Sequence, residues 1–269
     1  MSFKLQTSNF LVCIGLAIVS FSTQATIILY NQDFENPAAF VNDGGDVNTH
    51  NSVNTLYGNQ PSGFSFAQAF TVDTLLVTGN QAFGTGYSDP AGSAGNYTLG
   101  MLSNAQNDLL GLSFNVGSND FLNTSLDISS IDLSVFGGPF VSPGDIPIFE
   151  FTLFDNPGGS TGLGSGAVLD SLQVSGTASA RDVFDWTNIL LPLDARGNTN
   201  GNVTLRIDLL SGGYAAMDNF IIAASNTSGD IGGGDNPITV PEPTSLALLA
   251  LGIAGIGFSN KKKRAAPSK

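Results

Sequence analysis

The chain has almost none of the residues on which thiol, disulfide and zinc chemistry depend. Among its 269 residues there is one cysteine, Cys13, and one histidine, His50. A single histidine excludes the histidine-cluster zinc sites, and a single cysteine leaves the chain without an internal disulfide. A protein of this composition must be held together by its apolar core or by a metal ion.

Positive charge is also scarce, above all between residues 26 and 239. The chain carries 22 acidic residues against 9 lysines and arginines, a formal net charge of −13. Within that central stretch the cations are Arg181, Arg196 and Arg206, so the body is more acidic than the whole-chain charge indicates. A surface of this sign repels nucleic acid and anionic membranes, and we predict no nucleic-acid partner.

The beginning of the chain has the pattern of a secretory signal peptide. One lysine precedes an apolar run over 10–21, and small residues stand before a predicted cleavage point after Ala25. The run is shorter than the roughly 20 residues of a membrane span, which disfavours the alternative of a retained N-terminal anchor. We therefore predict that signal peptidase removes residues 1–25, and with them Cys13.

The other end has the pattern of a short membrane helix followed by positive charge. Residues 246–258 are apolar or glycine throughout, and as a helix they would cover about 20 Å of the roughly 30 Å hydrocarbon core. Flanking polar residues and lysines that extend towards the headgroups can lengthen such a span. A basic cluster follows, which keeps this end in the cytoplasm; it consists of Lys261, Lys262, Lys263 and Arg264.

Directly before the apolar stretch stands the tetrapeptide Val240-Pro241-Glu242-Pro243. The two prolines hold the backbone around Glu242 extended, as a protease cleft requires. The order of this motif, an apolar helix and a basic cluster resembles the PEP-CTERM sorting signal of Gram-negative bacteria. The resemblance implies that an exosortase in the cytoplasmic membrane recognises the tail, cleaves near the motif, and releases or transfers the rest of the chain.

The two ends together predict the organisation and the destination of the protein. We expect a signal peptide at 1–25, a β-sandwich domain at 26–225, a flexible Gly/Asp linker at 226–239 and the sorting signal at 240–264. The C-terminal helix would anchor the precursor transiently in the inner membrane after export. The processed protein would then reside at the cell surface or outside the cell.

The central stretch predicts an all-β fold. Apolar residues recur with a period of two, as in Phe149, Phe151 and Leu153, which would share one face of a strand. About ten short strands between turns rich in glycine, proline and asparagine are typical of a β-sandwich, and we expect a jelly roll. The predicted strands are 26–30, 64–72, 74–79, 97–102, 108–116, 130–136, 147–154, 167–175, 184–191, 202–210 and 215–225.

One segment matches a hydrolase motif, but the sequence around it does not fit a hydrolase. Residues 158–162 fit the pattern Gly-x-Ser-x-Gly, which in α/β-hydrolases lies on a strand–turn–helix unit and is served by a later histidine. Here the serine lies in a glycine-rich loop without a helical pattern behind it, and His50 precedes it. No pair of carboxylates stands out in the sequence either, so we predict no catalytic activity.

The body opens with YNQDFENPAAFVNDGGD (30–46) and closes with GYAAMDNFIIAAS (213–225). These segments resemble the first and last strands of carbohydrate-binding-module jelly rolls, which often begin Asn-x-x-Phe-Glu and end Ile-Asp-Asp-Val. The resemblance implies a structural calcium ion where the two strands meet, with Glu35 and Asp218 as ligands; oxygen ligands suit Ca²⁺. The second aspartate of the terminal motif is Asn219 here, which removes one charge. The alternative is that both acids are ordinary turn or edge residues.

Binding of a sugar chain would also require exposed aromatic side chains. Tyr57 and Tyr87 lie in sequence that predicts loops, and we expect them to be exposed and to contact glycan. Phe184 and Trp186 stand two residues apart on one predicted strand, which favours the core for Trp186 over an exposed binding surface.

The function predicted from these features is that of an exported, exosortase-processed envelope or extracellular-matrix protein. We expect a structural or adhesive role in contact with exopolysaccharide. The first alternative is a dedicated glycan-binding module, and the second is a jelly-roll glycan hydrolase or lyase. A glycan binder would show exposed aromatic residues on a concave sheet or loop rim, whereas an enzyme would show two converging carboxylates in a cleft.

Overall fold

The chain divides into two compact units, Gln24–Asp235 and a second unit made of Met1–Thr23 and Asn236–Lys269. The second unit, and with it the predicted signal helix, membrane helix and sorting motif, lies outside the described residues. Within the described ranges, no helix has both the length and the apolar character needed to cross a membrane. The computed structural model describes residues 25–38, 40, 53–57, 66–69, 72–77, 88–102, 108–131, 145–177, 180, 183–212 and 214–232.

The described part of the first unit consists of strands and a single helical turn, so the predicted all-β fold is confirmed. Most of the strands coincide with stretches of period-two alternation in the sequence. The elements are β1 (Ile27–Gln32), α1 (Val53–Leu56), β2 (Phe66–Ala69), β3 (Val72–Leu76), β4 (Tyr97–Met101), β5 (Leu109–Asn115), β6 (Phe121–Ser130), β7 (Ile148–Asp155), β8 (Val168–Ser175), β9 (Thr187–Asp194), β10 (Asn202–Ser211) and β11 (Ala215–Ser225).

Two antiparallel sheets form a jelly-roll sandwich. The six-stranded sheet has the order β3-β4-β11-β6-β9, with β1 also paired to β11, and the five-stranded sheet has the order β2-β5-β10-β7-β8. One edge of β11 pairs with β6 along its length, while the other edge pairs first with β4 and then with β1. The first and last strands of the sandwich therefore lie side by side.

The main core fills the space between the sheets. Phe149, Phe151 and Leu153 of β7 are fully buried there, opposite Leu205 and Ile207 of β10. Burial of each such side chain stabilises the folded state by about 1.5–3 kcal/mol. Every residue of this described core belongs to the unit Gln24–Asp235, so this unit has a core of its own, as expected of a domain that can fold alone.

A second, smaller apolar cluster covers the outside of the six-stranded sheet. Ala216 belongs to it, whereas its neighbours Ala215 and Met217 belong to the main core, so Ala216 points to the opposite face. Phe184 is buried in this cluster, and Trp186 stacks on it with 5.0 Å between ring centroids. Trp186 is therefore partly buried in packing contacts.

The structure corrects two details of the predicted strands. The strands expected at 64–72 and 74–79 correspond to β2 and β3, which belong to different sheets, but β3 begins earlier than expected, at Val72. β6 corresponds to none of the expected strands, because its middle residues are polar. The strand expected at 130–136 lies almost entirely outside the described residues.

The predicted linker begins as an ordered part of the domain. Asn123 of β6 donates from Nδ2 to the carbonyl oxygens of Thr227 (3.0 Å) and Asp230 (2.9 Å), and its Oδ1 accepts the amide of Gly229 (2.7 Å). Asn226 accepts the amide of Asp120 (3.1 Å). Residues 226–232 are therefore hydrogen-bonded to the sandwich, and the expectation of a flexible linker is wrong for them; the remainder, 233–239, lies outside the described residues.

Candidate functional site

The pairing of β1 with β11 brings Glu35 and Asp218 into the same region of the domain. Glu35 follows β1, and its carboxylate accepts the amides of Asn96 (2.8 Å) and Tyr97 (3.1 Å) and the Asn96 side-chain amide (3.0 Å). Asp218 lies within β11, and its Oδ1 accepts the amide of Asn219 (2.6 Å). The two carboxylates are close enough that the charge of Glu35 raises the pKa of Asp218.

Asp218 is buried without enough partners for its charge. Its side chain is 1% exposed, and its Oδ2 makes no hydrogen bond within the described structure. Burial raises its pKa to about 8, and the negative charges of Glu35 and Asp127 add to the effect, against the lowering by the Asn219 amide and the Thr98 hydroxyl. A buried carboxylate in this state needs either a proton or a cation.

The backbone beside both carboxylates is in the left-handed region. Phe34, which precedes Glu35, has a φ of 56°, and Asn219, which follows Asp218, has a φ of 52° at a bulge in β11. Such residues cost of order 1–3 kcal/mol each and are retained where the surroundings determine them. The Asn219 side-chain amide donates to the carbonyl oxygen of Ser93 (3.0 Å) and to Oδ2 of Asp127 (2.9 Å).

One observation favours a bound cation in this cluster: the buried Oδ2 of Asp218 has no hydrogen-bond partner within the described structure. Its carboxylate and that of Glu35 are hard oxygen donors, which Ca²⁺ prefers. Among the described residues, however, no three Asp, Glu, His or Cys side chains stand close enough together to hold a metal ion. Any ion bound here would have to complete its coordination with neutral oxygens or water.

Tyr57 does not have the exposed position expected of a glycan contact, and that prediction is wrong. It is 3% exposed, and its ring packs edge-on against Phe34 with 5.2 Å between centroids. Its hydroxyl donates to the carbonyl oxygen of Phe34 (2.9 Å) and lies 3.2 Å from Oγ1 of Thr74. The residue is buried because it directly follows the helical turn α1, whose apolar side chains Val53 and Leu56 belong to the core. Tyr87 lies outside the described residues.

A second candidate site lies on the face of the five-stranded sheet that points away from the core, here called the outer face. On β10, Leu205 and Ile207 are in the core, so Arg206 between them points outward, as do its cross-strand partners Gly111 and Thr152. The same alternation places the following side chains on the outer face: Ser113, Glu150, Thr152, Phe154, Thr204, Arg206 and Asp208.

The guanidinium of Arg206 lies over the ring of Phe154 at the middle of the outer face. Its guanidinium carbon is 4.9 Å from the ring centroid, a cation–π contact that contributes about 0.5–2 kcal/mol. The Nε of Arg206 is buried and makes no hydrogen bond within the described structure. The guanidinium is therefore restrained against the ring by its buried end, and its outer N–H groups are the donors that remain for other contacts.

A glycine-rich strap, residues 156–166, crosses the outer face beside this pair. A Cβ added to Gly111 would lie 2.3 Å from the carbonyl oxygen of Gly162, and one added to Gly164 would lie 2.4 Å from the ring of Phe154. The strap backbone thus lies directly on the sheet. Asn156 fixes its start by donating to Ser160 O (2.8 Å) and to Thr204 Oγ1 (3.1 Å).

The strap encloses a cavity of about 680 Å³ that is lined by its own residues together with Asp155 and Thr204. This volume lies in the range of small-molecule binding sites. The serine of the Gly-x-Ser-x-Gly match, Ser160, is part of the lining, and its hydroxyl donates to Oδ1 of Asn156 (3.3 Å). That contact closes a turn, which accounts for the serine without a catalytic role.

Two carboxylates are neighbours at the other end of the outer face. Glu150 and Asp208 are direct cross-strand partners of β7 and β10, which places their Cβ atoms about 4.5–5.5 Å apart. Gln173 of β8 donates to Glu150 Oε1 (3.2 Å). The outer face therefore offers carboxylate, amide and guanidinium groups on one surface.

Comparison with known proteins identifies a sorting motif in the tail. For the body it shows a similarity of fold alone. Residues 239–263 match the model of the PEP-CTERM protein-sorting motif. This motif implies exosortase-dependent export with membrane-anchored sorting in a Gram-negative bacterium, and it makes an exosortase the processing partner. No curated protein matches the chain.

Among solved structures, the chain is similar to carbohydrate-binding modules and to an adhesin domain. The C-terminal family 22 module of Clostridium thermocellum Xyn10B is 13% identical, with 74% of this chain and 96% of that chain covered and a TM-score of 0.39. The K3 adhesin domain of Lys-gingipain from Porphyromonas gingivalis is 11% identical, with 73% and 99% covered and a TM-score of 0.37. Likenesses at these TM-scores transfer no ligand or residue role to this chain.

Sequence reasoning did not single out the outer face. The signal that could have found it is the alternation within 147–154 and 202–210, which sets Glu150 and Thr152 on one strand, and Arg206 and Asp208 on another, opposite the apolar face. Since the pairing of these two strands is not visible in the sequence, their polar faces could not be joined into one surface.

Proposed function

We propose that the mature protein is a structural or adhesive component of the cell envelope or extracellular matrix that binds exopolysaccharide through the outer face. Signal peptidase would remove residues 1–25, the C-terminal helix would anchor the precursor in the inner membrane, and exosortase would then pass the domain to the surface or the medium. The single observation that carries the binding proposal is the strap cavity of about 680 Å³, which Thr204 of the outer face helps to line.

The chemistry of the outer face supports a polyhydroxylated ligand. Sugar hydroxyls both donate and accept hydrogen bonds, and the face combines a donor-only group, Arg206, with the acceptors Glu150 and Asp208. The hydroxyls of Ser113 and Thr152 are buried and bonded within the protein, so they stabilise the face from below. Its acids outnumber its cation, which disfavours a polyanion. The ligand that this balance favours is a neutral polysaccharide.

The test is a binding screen of the domain 26–235 against neutral and uronate-containing polysaccharides by affinity electrophoresis. The proposal expects retardation in gels that contain a neutral polysaccharide, among them that of the native matrix. Retardation only by uronate polymers would contradict the ligand class, and migration unchanged in every gel would contradict polysaccharide binding as a whole.

Glycan cleavage is the second candidate, and the neighbouring carboxylates Glu150 and Asp208 favour it. Retaining glycosidases divide acid and nucleophile roles between two carboxyl groups about 5–5.5 Å apart, and side chains on directly paired residues such as Glu150 and Asp208 can reach that separation. Incubation of the domain with each bound polysaccharide, followed by a reducing-end assay, separates the candidates. New reducing ends that disappear in Glu150→Gln would support cleavage, and their absence would leave binding alone.

For the cluster at the chain ends, we propose a structural Ca²⁺ ion with Glu35 and Asp218 as protein ligands. The buried, unpartnered Oδ2 of Asp218 supports the proposal. The ion would replace the proton that this carboxylate otherwise needs, and it would join the first and last strands in a protein whose mature body contains no cysteine.

A further inference from the structure

The first residue of the predicted mature protein contacts the last segment of the domain that the structure describes. Thr26 Oγ1 donates a hydrogen bond to Oδ2 of Asp230. The same carboxylate accepts from Ser225 Oγ (3.2 Å) and from the amide of Gly232 (3.0 Å). These donors, the Thr26 hydroxyl above all, hold the pKa of Asp230 below its usual range. Asp230 is therefore an anion that ties the start of the sandwich to its end.

The segment that carries Asp230 leads towards the sorting motif in the sequence. Asn123 holds its backbone from the central strand β6 through Thr227, Gly229 and Asp230, as described above. The other side of the segment lies against β1, because a Cβ added to Gly232 would be 3.2 Å from Cδ1 of Ile28. Its position thus depends on both β6 and the beginning of β1.

The backbone nitrogen of Thr26 lies near the same carboxylate. Three bonds separate it from Thr26 Oγ1, so it lies within about 6 Å of the Asp230 oxygens. In the precursor this nitrogen is a neutral amide joined to Ala25. Ala25 is exposed and Thr26 is half-buried, so a new chain end formed at this bond would remain at the surface, beside Asp230.

We propose that removal of the leader at the Ala25–Thr26 bond creates an ammonium group that pairs with Asp230 and fastens the start of β1 to the segment 226–232. Hydrolysis adds one water across the bond: the Ala25 carbonyl carbon receives the hydroxyl and leaves as a carboxylate, and the Thr26 nitrogen becomes a protonated amine. An α-amino group has a pKa of about 7.7–8.0, so it is mostly charged at neutral pH.

The consequence is a clasp that forms only after processing. Before cleavage, the first residues of β1 continue into the leader, and Asp230 has neutral donors only. After cleavage, a full charge faces Asp230 at the chain end that otherwise frays first. The domain then presents its C-terminal segment in one fixed position, at the stage when exosortase acts. The inference rests on the predicted cleavage site and not on polysaccharide binding.

The composition of the body allows a clean test. All lysines of the chain lie at its two ends, at Lys4, Lys261, Lys262, Lys263 and Lys269. The domain 26–235, which has a core of its own, therefore contains the Thr26 α-amine as its single primary amine. An amine-reactive acetylating reagent modifies that group alone and removes its charge.

The experiment compares free and acetylated domain 26–235 in three backgrounds: unsubstituted, Asp230→Asn, and Asp145→Asn. Asp230→Asn keeps an acceptor oxygen but removes the charge, and Asp145→Asn removes an exposed charge elsewhere. In the unsubstituted domain and in Asp145→Asn, acetylation should lower Tm by about 1–3 °C and speed hydrogen exchange at the Gly232 amide roughly threefold. In Asp230→Asn, acetylation should change neither quantity.

Equal effects of acetylation in all three backgrounds would overturn the proposal, because the amine would then act without Asp230. No effect in any background would overturn it as well. The mass of the exported protein from cells gives an independent check: a mature N-terminus at a residue other than Thr26 would remove the charge from this position and contradict the proposal.

Discussion

The guanidinium of Arg206 lies 4.9 Å from the ring centroid of Phe154, and the glycine-rich strap lies against Phe154 and against Gly111, the cross-strand partner of Arg206. The ring contact restrains the Arg206 side chain, whose Nε is buried. A restrained guanidinium loses little conformational entropy when its outer N–H groups bind a ligand. This relationship, together with the strap cavity, is the physical basis for assigning binding to the outer face.

The first prediction concerns the position of the strap on the sheet. In Gly111→Ala the new methyl group would meet the Gly162 carbonyl oxygen at 2.3 Å, so the strap must move away from the sheet. Overpacking of this kind costs about 1–3 kcal/mol, and we expect Tm to fall by roughly 2–8 °C, with weaker polysaccharide binding. Gly158→Ala is the matched control, since nothing lies within 4 Å of its added Cβ. Equal Tm values for the two variants would show that the strap does not rest on the sheet.

The second prediction concerns the effect of Ca²⁺ on thermal stability. A ligand that binds the folded state alone at 100 times its Kd stabilises by about 2.7 kcal/mol, so millimolar Ca²⁺ should raise the Tm of the domain and EDTA should lower it. Mg²⁺ should substitute poorly because it holds its waters and demands a tighter geometry. Asp218→Ala should abolish the difference between Ca²⁺ and EDTA. Superimposable melting curves of the unsubstituted domain in Ca²⁺ and EDTA would refute the metal site.

The pH dependence of the metal-free domain makes the third prediction. Burial raises the pKa of Asp218 from 3.8 to about 8, so the folded state retains a proton that the unfolded chain has released. Stability should therefore decrease as pH rises from about 4 to about 8, by at most about 1.4 kcal/mol per pH unit from this group. Urea unfolding in EDTA at several pH values measures the slope. A slope that Asp218→Asn leaves unchanged would show that another group causes it.

The sorting motif makes the fourth prediction. Glu242→Ala, or replacement of Pro241 and Pro243 together, should leave an unprocessed precursor in the membrane fraction, since the extended recognition segment is lost. Immunoblots of membrane and released fractions provide the measurement. Normal release of these variants would mean that processing does not read the motif.

The fold was largely predictable from the sequence because most strands bury every second residue between the sheets. β7 is the clearest case, since Phe149, Phe151 and Leu153 are all in the core. β6 was missed because Asn123 and Ser125 interrupt its apolar pattern. Their burial depends on tertiary contacts, in the case of Asn123 on the returning segment 226–232.

The candidate sites were less predictable from the sequence, because they too depend on tertiary contacts. Tyr57 was expected in an exposed loop, but the turn that precedes it packs its apolar residues into the core. The position of Asp218 beside Glu35 could be expected from the resemblance at the chain ends, whereas its missing hydrogen-bond partner is visible only in three dimensions. The outer face depends on which strands pair, and period-two alternation carries no information about pairing.

The most direct test of polysaccharide binding is a titration calorimetry comparison of two arginine substitutions in the domain 26–235. Arg206→Gln removes the charge over Phe154, and Arg196→Gln removes an equal charge from a residue that pairs with Asp194 and lies 5.7 Å from the Phe121 ring. With a neutral polysaccharide that binds the unsubstituted domain, Arg206→Gln should raise Kd at least about tenfold, equivalent to about 1.4 kcal/mol, while Arg196→Gln should leave Kd unchanged. Equal Kd values for the two variants would contradict binding at the outer face.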